Sequence, residues 1–248
     1  MIKYILTLSL LLFFTGCSIK NTKYAIIEDN KHDGVINDSG YVVVKPKYKH
    51  IFNFDGHDGE FDHIHTLNLH WIHNKANEAY AIVQSQNGKF GIIGQKGKLL
   101  LKPKYDSITY FFNGFARIES GGKFGLIDRK FNIVLKPIYD EVQEFIGDIA
   151  ILKHSDKYGC INKKMELKIK PTYDRIYFQQ ENHLRTKIKN KWGYLDNKCN
   201  ILAKPIYNYA YNFSNGIAKV LIDDKVGYLK TDGKLLSKPR FTQKSGSF

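Results

Sequence analysis

From about residue 89 onward, apolar and polar positions alternate in short runs, and the runs recur. Leu99, Leu101, Pro103 and Tyr105 share one parity, as do Ile133, Leu135, Pro137 and Tyr139, while Lys102 and Lys136 fall on the other. Alternation over seven residues predicts half-buried strands with Leu, Pro and Tyr inward and Lys outward. A second apolar segment precedes each run. The stretch between them, Asp128-Arg129-Lys130-Phe131-Asn132 or Thr231-Asp232-Gly233-Lys234, is turn chemistry, so the two strands form a hairpin. Beyond the tyrosine, Gly114, Asp148, Asn182 and Gly216 mark a second turn, since these residue types tolerate positive φ. Short strands such as Phe115-Ala116-Arg117-Ile118 and Ile217-Ala218-Lys219-Val220 follow it. Three short strands per unit leave no room for a helix, and the expected fold class is all-β.

All six prolines occupy one phase of this pattern: Pro46, Pro103, Pro137, Pro171, Pro205 and Pro239, the last five spaced 34 residues apart. Each follows a lysine (Lys45, Lys102, Lys136, Lys170, Lys204, Lys238). Two residues later comes Tyr48, Tyr105, Tyr139, Tyr173, Tyr207 or Phe241. A fixed period of this size marks a tandem array whose units bury their apolar faces only by stacking on neighbours. Proline has no N–H, which places it at a strand end or on an edge strand. An aromatic-Gly pair opens four units, Phe90-Gly91, Phe124-Gly125, Tyr158-Gly159 and Trp192-Gly193, and weakens to Val226-Gly227 in the last. The glycine is expected to admit a close neighbouring chain and the aromatic to anchor the core between units. Asp106, Asp140, Asp174 and Asn208, next to the tyrosines, are expected to cap local turns.

This pattern resembles the bacterial WG-repeat family, also called KWG repeats, over roughly residues 32–242. Lys191-Trp192-Gly193-Tyr194-Leu195-Asp196 with Lys204-Pro205-Ile206-Tyr207-Asn208 is the clearest copy. Trp opens only one unit, and the first unit, Asp33-Gly34 to Tyr48, lacks the aromatic. The resemblance implies a β-repeat fold and an envelope or secreted setting, and no reaction. The expected architecture is a curved open array of about six units, the alternative being a closed, propeller-like arrangement.

The N-terminus belongs to a different kind of segment. Lys3 precedes an almost wholly apolar stretch from Ile5 to Phe14, too short for a stable membrane span, and Thr15-Gly16 leads into Cys17. The Phe14-Thr15-Gly16-Cys17 ending resembles a bacterial lipobox. That implies a cleaved signal over residues 1–16, lipidation of Cys17 and a tether over residues 17–31, with the repeat domain at 32–248. Several acyl chains, each contributing about 0.8 kcal/mol per buried methylene, anchor such a protein firmly. The expected location is the cell envelope, and the outer membrane if the cell is Gram-negative, because Ser18 stands where a retention Asp would.

A formal net charge of +14 favours anionic surroundings such as phosphorylated lipids, acidic glycans or nucleic acid. With an envelope address, nucleic acid is not expected, and an envelope protein or anionic glycan is. The Lys102, Lys136, Lys170 and Lys204 row, and a second row of Lys89, Lys123, Lys157, Lys191 and Lys225, are candidate basic stripes. Exposed lysines also protect strand edges from pairing. Cys160 and Cys199 lie five residues apart in repeat phase, about 17 Å of extended chain, so no structural disulfide is expected and Cys160 is taken as a core filler.

One unit carries an insertion of 23 residues, because Pro46 and Pro103 are 57 apart and not 34. The stretch near 50–80 holds His50, His57, His63, His65, His70 and His73, six of the nine histidines, among Asp55, Asp58, Glu60 and Asp62. Such a composition suits Zn, Cu or Ni, with His57, His63, His65, His70 and His73 as candidate ligands. The bland alternative is a solvated loop, or one that lays Trp71 onto the array as part of a binding surface. No GxSxG elbow, P-loop, GxGxxG or CxxC pair occurs. The expected function is therefore non-enzymatic: an envelope lipoprotein with a binding scaffold and no required cofactor, the alternative being metal binding or sensing through the insertion.

Overall fold

The computed structural model describes residues 24–37, 39–52, 72–73, 79–94 and 96–242, and all structural statements concern these. The chain folds as six small antiparallel sheets in tandem. The third contains Ser107–Ile108, Phe115–Ser120, Lys123–Asp128 and Ile133–Tyr139, side by side in sequence order. The fourth repeats it with Glu141–Val142, Ile149–His154, Lys157–Asn162 and Leu167–Tyr173. The fifth comprises Arg175–Phe178, His183–Ile188, Lys191–Asp196 and Ile201–Tyr207. The sixth comprises Tyr209–Ala210, Ile217–Ile222, Lys225–Lys230 and Leu235–Thr242. The second sheet adds Ile72–His73 to the same plan, and the first has three strands. Each full unit thus has four strands where three were expected. The extra one is the two- to four-residue strand after Tyr-Asp, too short to show an alternation of its own.

Stacking is what buries these sheets. Five apolar clusters among the described residues each span two successive sheets. One joins Leu126 and Tyr139 of the third sheet to Val142, Ala150, Leu152 and Ile161 of the fourth. The next joins Ile151, Cys160 and Tyr173 to Ile176, Leu184 and Leu195 of the fifth. A central strand is therefore apolar on both faces: Leu126 packs forward and Ile127 backward, and both are buried. In the sixth sheet, with no following sheet, Leu229 is buried but its neighbour Tyr228 is 42% exposed. The array is open, and among the described residues its terminal sheet stacks on one neighbour only, the place that caps occupy in stacked repeats. No closed barrel forms.

The two motif halves meet inside each sheet. The Lys-Pro strand is the outer edge strand, and its register slips where Pro sits: Phe124 pairs with Tyr139, but Leu126 pairs with Leu135. A side chain on Gly125 would lie 2.4 Å from the Leu135 carbonyl oxygen and 2.6 Å from the Pro137 nitrogen. Gly91, Gly159 and Gly193 face the same obstruction from Leu101-Pro103, Ile169-Pro171 and Ala203-Pro205. Glycine and proline are two sides of one bulge: proline donates nothing where the ladder is broken, and glycine lets the backbone close in. Tyr105, Tyr139, Tyr173 and Tyr207 are buried, and Pro103, Pro137, Pro171 and Pro205 half-buried. A second register shift, between Leu126 and Ile127 and at the equivalent places, has a consequence that alternation missed. Leu99, Ile133, Leu167 and Ile201 turn outward and are 39–53% exposed.

The disulfide expectation was wrong. Cys160 and Cys199 are bonded, with Cα atoms 6.5 Å apart. The repeat-phase argument measured five residues within one unit, but the two cysteines belong to stacked neighbours. Cys199 lies in the hairpin turn of the fifth sheet, at φ 64°, and drops backward into the core of the fourth. Phe131 and Met165 hold the equivalent place in their turns, at φ 64° and 63°, and also pack backward, Phe131 against Tyr80 at 5.1 Å.

Candidate functional site

Each sheet-to-sheet corner is built from Tyr-Asp. Asp106 accepts hydrogen bonds from the Lys89 ammonium in the sheet behind it and from the Gly121 N–H in the turn ahead, at 2.6 Å. Asp140 does the same with Lys123 and the Ser155 N–H at 2.7 Å, and Asp174 with Lys157 and the Lys189 N–H at 2.8 Å. These aspartates are clips between sheets, not caps of their own turns as the sequence suggested. The lysine hydrogen bond first, helped by the backbone N–H, holds each carboxyl below its ordinary value.

This divides the two lysine rows. Lys89, Lys123 and Lys157 are taken up by the clips, so the stripe proposed for them does not exist there. At the fifth-to-sixth corner Asn208 replaces Asp. Its side-chain oxygen still accepts the Asp223 N–H at 3.1 Å, but Lys191 forms no ion pair among the described residues. Lys102, Lys136, Lys170 and Lys204 are all exposed at one place on successive edge strands, and none enters an ion pair among the described residues.

The unit-opening aromatics are not fully inside. Phe90, Phe124, Tyr158 and Trp192 are half-buried at the rim between sheets. Cations lie over the last three: Arg117 at 5.2 Å from Phe124, Lys153 and Arg175 at 5.9 and 5.8 Å from Tyr158, Arg185 and Lys187 at 4.5 and 5.4 Å from Trp192. The belt is widest at Trp192, where Tyr177 stacks at 6.1 Å and Tyr209 lies at 5.9 Å, with Tyr211 a further 4.7 Å on. Lys219 stands 4.8 Å from Tyr211. Tyr177 and Tyr209 carry no repeat signature, since Gln143 and Arg175 hold their places one unit earlier. Their only signal is the density of aromatics from 173 to 213.

Two other features depart from the repeat. Gln179 and His183 replace Phe145 and Ile149 of the previous unit. The Gln179 amide and His183 Nδ1 are buried without partners, and the His183 ring stacks on Phe213 at 4.2 Å. A shallow depression of about 420 Å³ lies between the third and fourth sheets, lined by Phe112, Asn113, Gln143, Glu144, Phe145, Ile146 and Gly147. Neither collects a catalytic arrangement. Among the described residues, no three His, Cys, Asp or Glu side chains gather as a metal site requires. Cys17, His57, His63, His65, His70 and Trp71 lie outside the described residues, and His73 is described only as backbone in the Ile72–His73 strand.

A sequence model of the WG containing repeat matches residues 34–59, 90–124, 124–158, 158–192 and 192–225. No curated protein matches the chain. Among solved structures, KlHsv2 with loop 6CD replaced by a Gly-Ser linker is 11% identical, with a TM-score of 0.31 over 63% of this chain and 60% of that one. PorZ, a bacterial surface component of the type-IX secretion system of Porphyromonas gingivalis, is 9% identical, with a TM-score of 0.30 over 90% and 32%. A eukaryotic initiation factor is 7% identical, with a TM-score of 0.36 over 89% and 64%. All three likenesses are distant, and the chain spans less than two thirds of each of these proteins.

Proposed function

Because the chain belongs to the WG containing repeat family, we propose that it is a non-enzymatic binding scaffold. In this reading it is an envelope lipoprotein, anchored through Cys17, whose stacked sheets hold a basic surface toward a protein or anionic glycan partner and need no cofactor. The observation that carries it is the row of edge-strand lysines. Lys102, Lys136, Lys170 and Lys204 are exposed, and in no ion pair among the described residues, at equivalent places on stacked sheets. Like charges repeated along a stack complement a partner that carries negative charge along its length. The Cys160–Cys199 disulfide is in keeping with an oxidising, exported setting. The Phe14-Thr15-Gly16-Cys17 ending supports the anchor, and in that compartment nucleic acid is not the partner.

Photo-crosslinking from position 138, on the edge strand beside Lys136, tests this in intact envelopes. Partner capture should fall as salt rises and should be lost when Lys102, Lys136, Lys170 and Lys204 are all changed to Glu. Capture that ignores both salt and charge reversal would sink the reading. The histidine-rich composition of the insertion supports a second reading, metal binding. A zinc, copper and nickel titration that is unchanged when His57, His63, His65 and His70 become Ala would remove it.

A further inference from the structure

The bare end of the array differs from its interior. On the sixth sheet, Tyr209 and Tyr211 share a face with Lys219 and Tyr228, opposite the face where Ala210, Val220 and Leu229 pack backward. Among the described residues no further sheet covers that outer face: Tyr209 is 43% and Tyr228 42% exposed. It runs on into the rim of the fifth sheet, where Tyr177, also 43% exposed, flanks Trp192. Tyr177 and Tyr209 thus both flank Trp192, at 6.1 and 5.9 Å between centroids. Arg185, Lys187 and Lys219 lie beside them, and none forms an ion pair among the described residues. The nearby carboxylate, Asp174, is committed to Lys157 and the Lys189 N–H.

We propose that this cradle binds an acidic polysaccharide, its sugar rings on the exposed faces of Tyr177 and Tyr209 on either side of Trp192 and its carboxylates on the flanking cations. The inference rests on the scaffold reading and adds to it a site and a ligand class. Aromatic faces are negative and attract the polarised C–H bonds on the flat side of a pyranose. Arg185 and Lys187 lie over the Trp192 ring and Lys219 over Tyr211, and their outward N–H groups meet carboxylates carried on the edge of each sugar. Arg185 lies between Tyr177 and Trp192, 5.7 and 4.5 Å from the two rings, and donates to the Ala210 carbonyl oxygen at 2.9 Å. That leaves no slot for an inserted planar base and only outer ring faces for flat stacking. The same cations disfavour a second copy docking on the face, because like charges would meet.

The chain has two tryptophans, Trp71 and Trp192, so a Trp71→Phe background makes Trp192 the only fluorescent reporter. Titration of this full chain with oligogalacturonate should quench Trp192 in a salt-dependent way, and the methyl-esterified oligomer should bind far more weakly. Tyr209→Ala, at a side chain largely outside the core, should weaken binding roughly tenfold. Lys187→Gln should weaken it severalfold and flatten the salt dependence, whereas Lys130→Gln, at an exposed residue in the hairpin turn of the third sheet, should do neither. Equal affinity for the esterified oligomer, no effect of Tyr209→Ala, or tighter cradle-dependent binding of an oligonucleotide or anionic vesicles would overturn the site. So would dimerisation through this face in sedimentation. Each of these outcomes leaves the crosslinking test at position 138 standing, so the scaffold reading fails or survives separately.

Discussion

The fourth-to-fifth and fifth-to-sixth joints use the same corner and are held differently. The former has the full Asp174 clip, with Lys157 behind and the Lys189 N–H ahead, and a disulfide through Cys160 and Cys199. The latter keeps the backbone half of the clip at Asn208, loses the ion pair, and has no disulfide. Its cohesion comes from rings: Phe213 lies 5.0 Å from Tyr194, whose hydroxyl donates to the Tyr211 carbonyl oxygen at 2.5 Å, and Trp192 meets Tyr209. The contrast teaches that a repeat array need not be uniform. Where charge and covalent staples are withdrawn, aromatics take over the joint, and among the described residues Tyr177 and Tyr209 there stay exposed.

Removing the staple should have the largest effect. Cys160 and Cys199 are 39 residues apart, and closing a loop of that length stabilises by about 4 kcal/mol in the chain-entropy view. A Cys160→Ala, Cys199→Ala double variant should melt at much lower temperature, and its fourth-to-fifth joint should lose its advantage over the next in limited proteolysis. Unchanged melting would show that the staple adds nothing to the packing.

The paired glycines sharpen the comparison at smaller scale. A methyl on Gly193 would meet backbone, the Ala203 oxygen at 2.5 Å and the Pro205 nitrogen at 2.8 Å. On Gly227 it would meet chiefly the Pro239 ring at 3.0 and 3.1 Å, with the Ser237 oxygen at 3.1 Å. Gly193→Ala should destabilise by about 1–3 kcal/mol and Gly227→Ala by clearly less, measured by urea unfolding. Equal losses would mean that the bulge is as tight in the last sheet as in the fifth.

The clips give the smallest effect, and its sign follows from their titration. Each clip carboxyl is held below the ordinary value of 3.8, so its contribution is present above that pH and is lost as pH falls through the lowered value. The joints at Asp106, Asp140 and Asp174 should therefore loosen in acid while the Asn208 joint does not. Asn208→Asp should restore the pair with Lys191, giving a small gain in melting temperature that high salt removes. At the other extreme, burial raises the Tyr80 and Tyr194 hydroxyls far above 10.0. Stability should fall as pH rises beyond 10.0, where the unfolded chain ionises and the folded one resists.

Much of this architecture was legible in the chain. The period of Pro103 to Pro239, the hairpin turns and the Gly–Pro partnership follow from a backbone grammar that repeats identically in each unit. What escaped the sequence are relations between units. Lys89 and Asp106, Lys123 and Asp140, and Lys157 and Asp174 are each 17 residues apart, half a repeat, and this recurring offset was the available sign that they bridge sheets. Cys199 was misjudged because distance along one motif says nothing of distance across a stacked pair. Tyr177 and Tyr209 could not be singled out by periodicity, since they matter where the repeat is broken. The open course of the array was expected from the six units with atypical ends, and the tandem sheets without a closed barrel agree with it.

Hydrogen exchange across the whole chain, with and without oligogalacturonate, tests the central contrast most directly. The sixth sheet, from Ile217 to Lys230, should open at lower free energy than Ile149 to Asn162, and the ligand should selectively slow its exchange around Tyr209 to Tyr211. Protection that is uniform along the array and unmoved by the oligomer would contradict both the graded joints and the binding end.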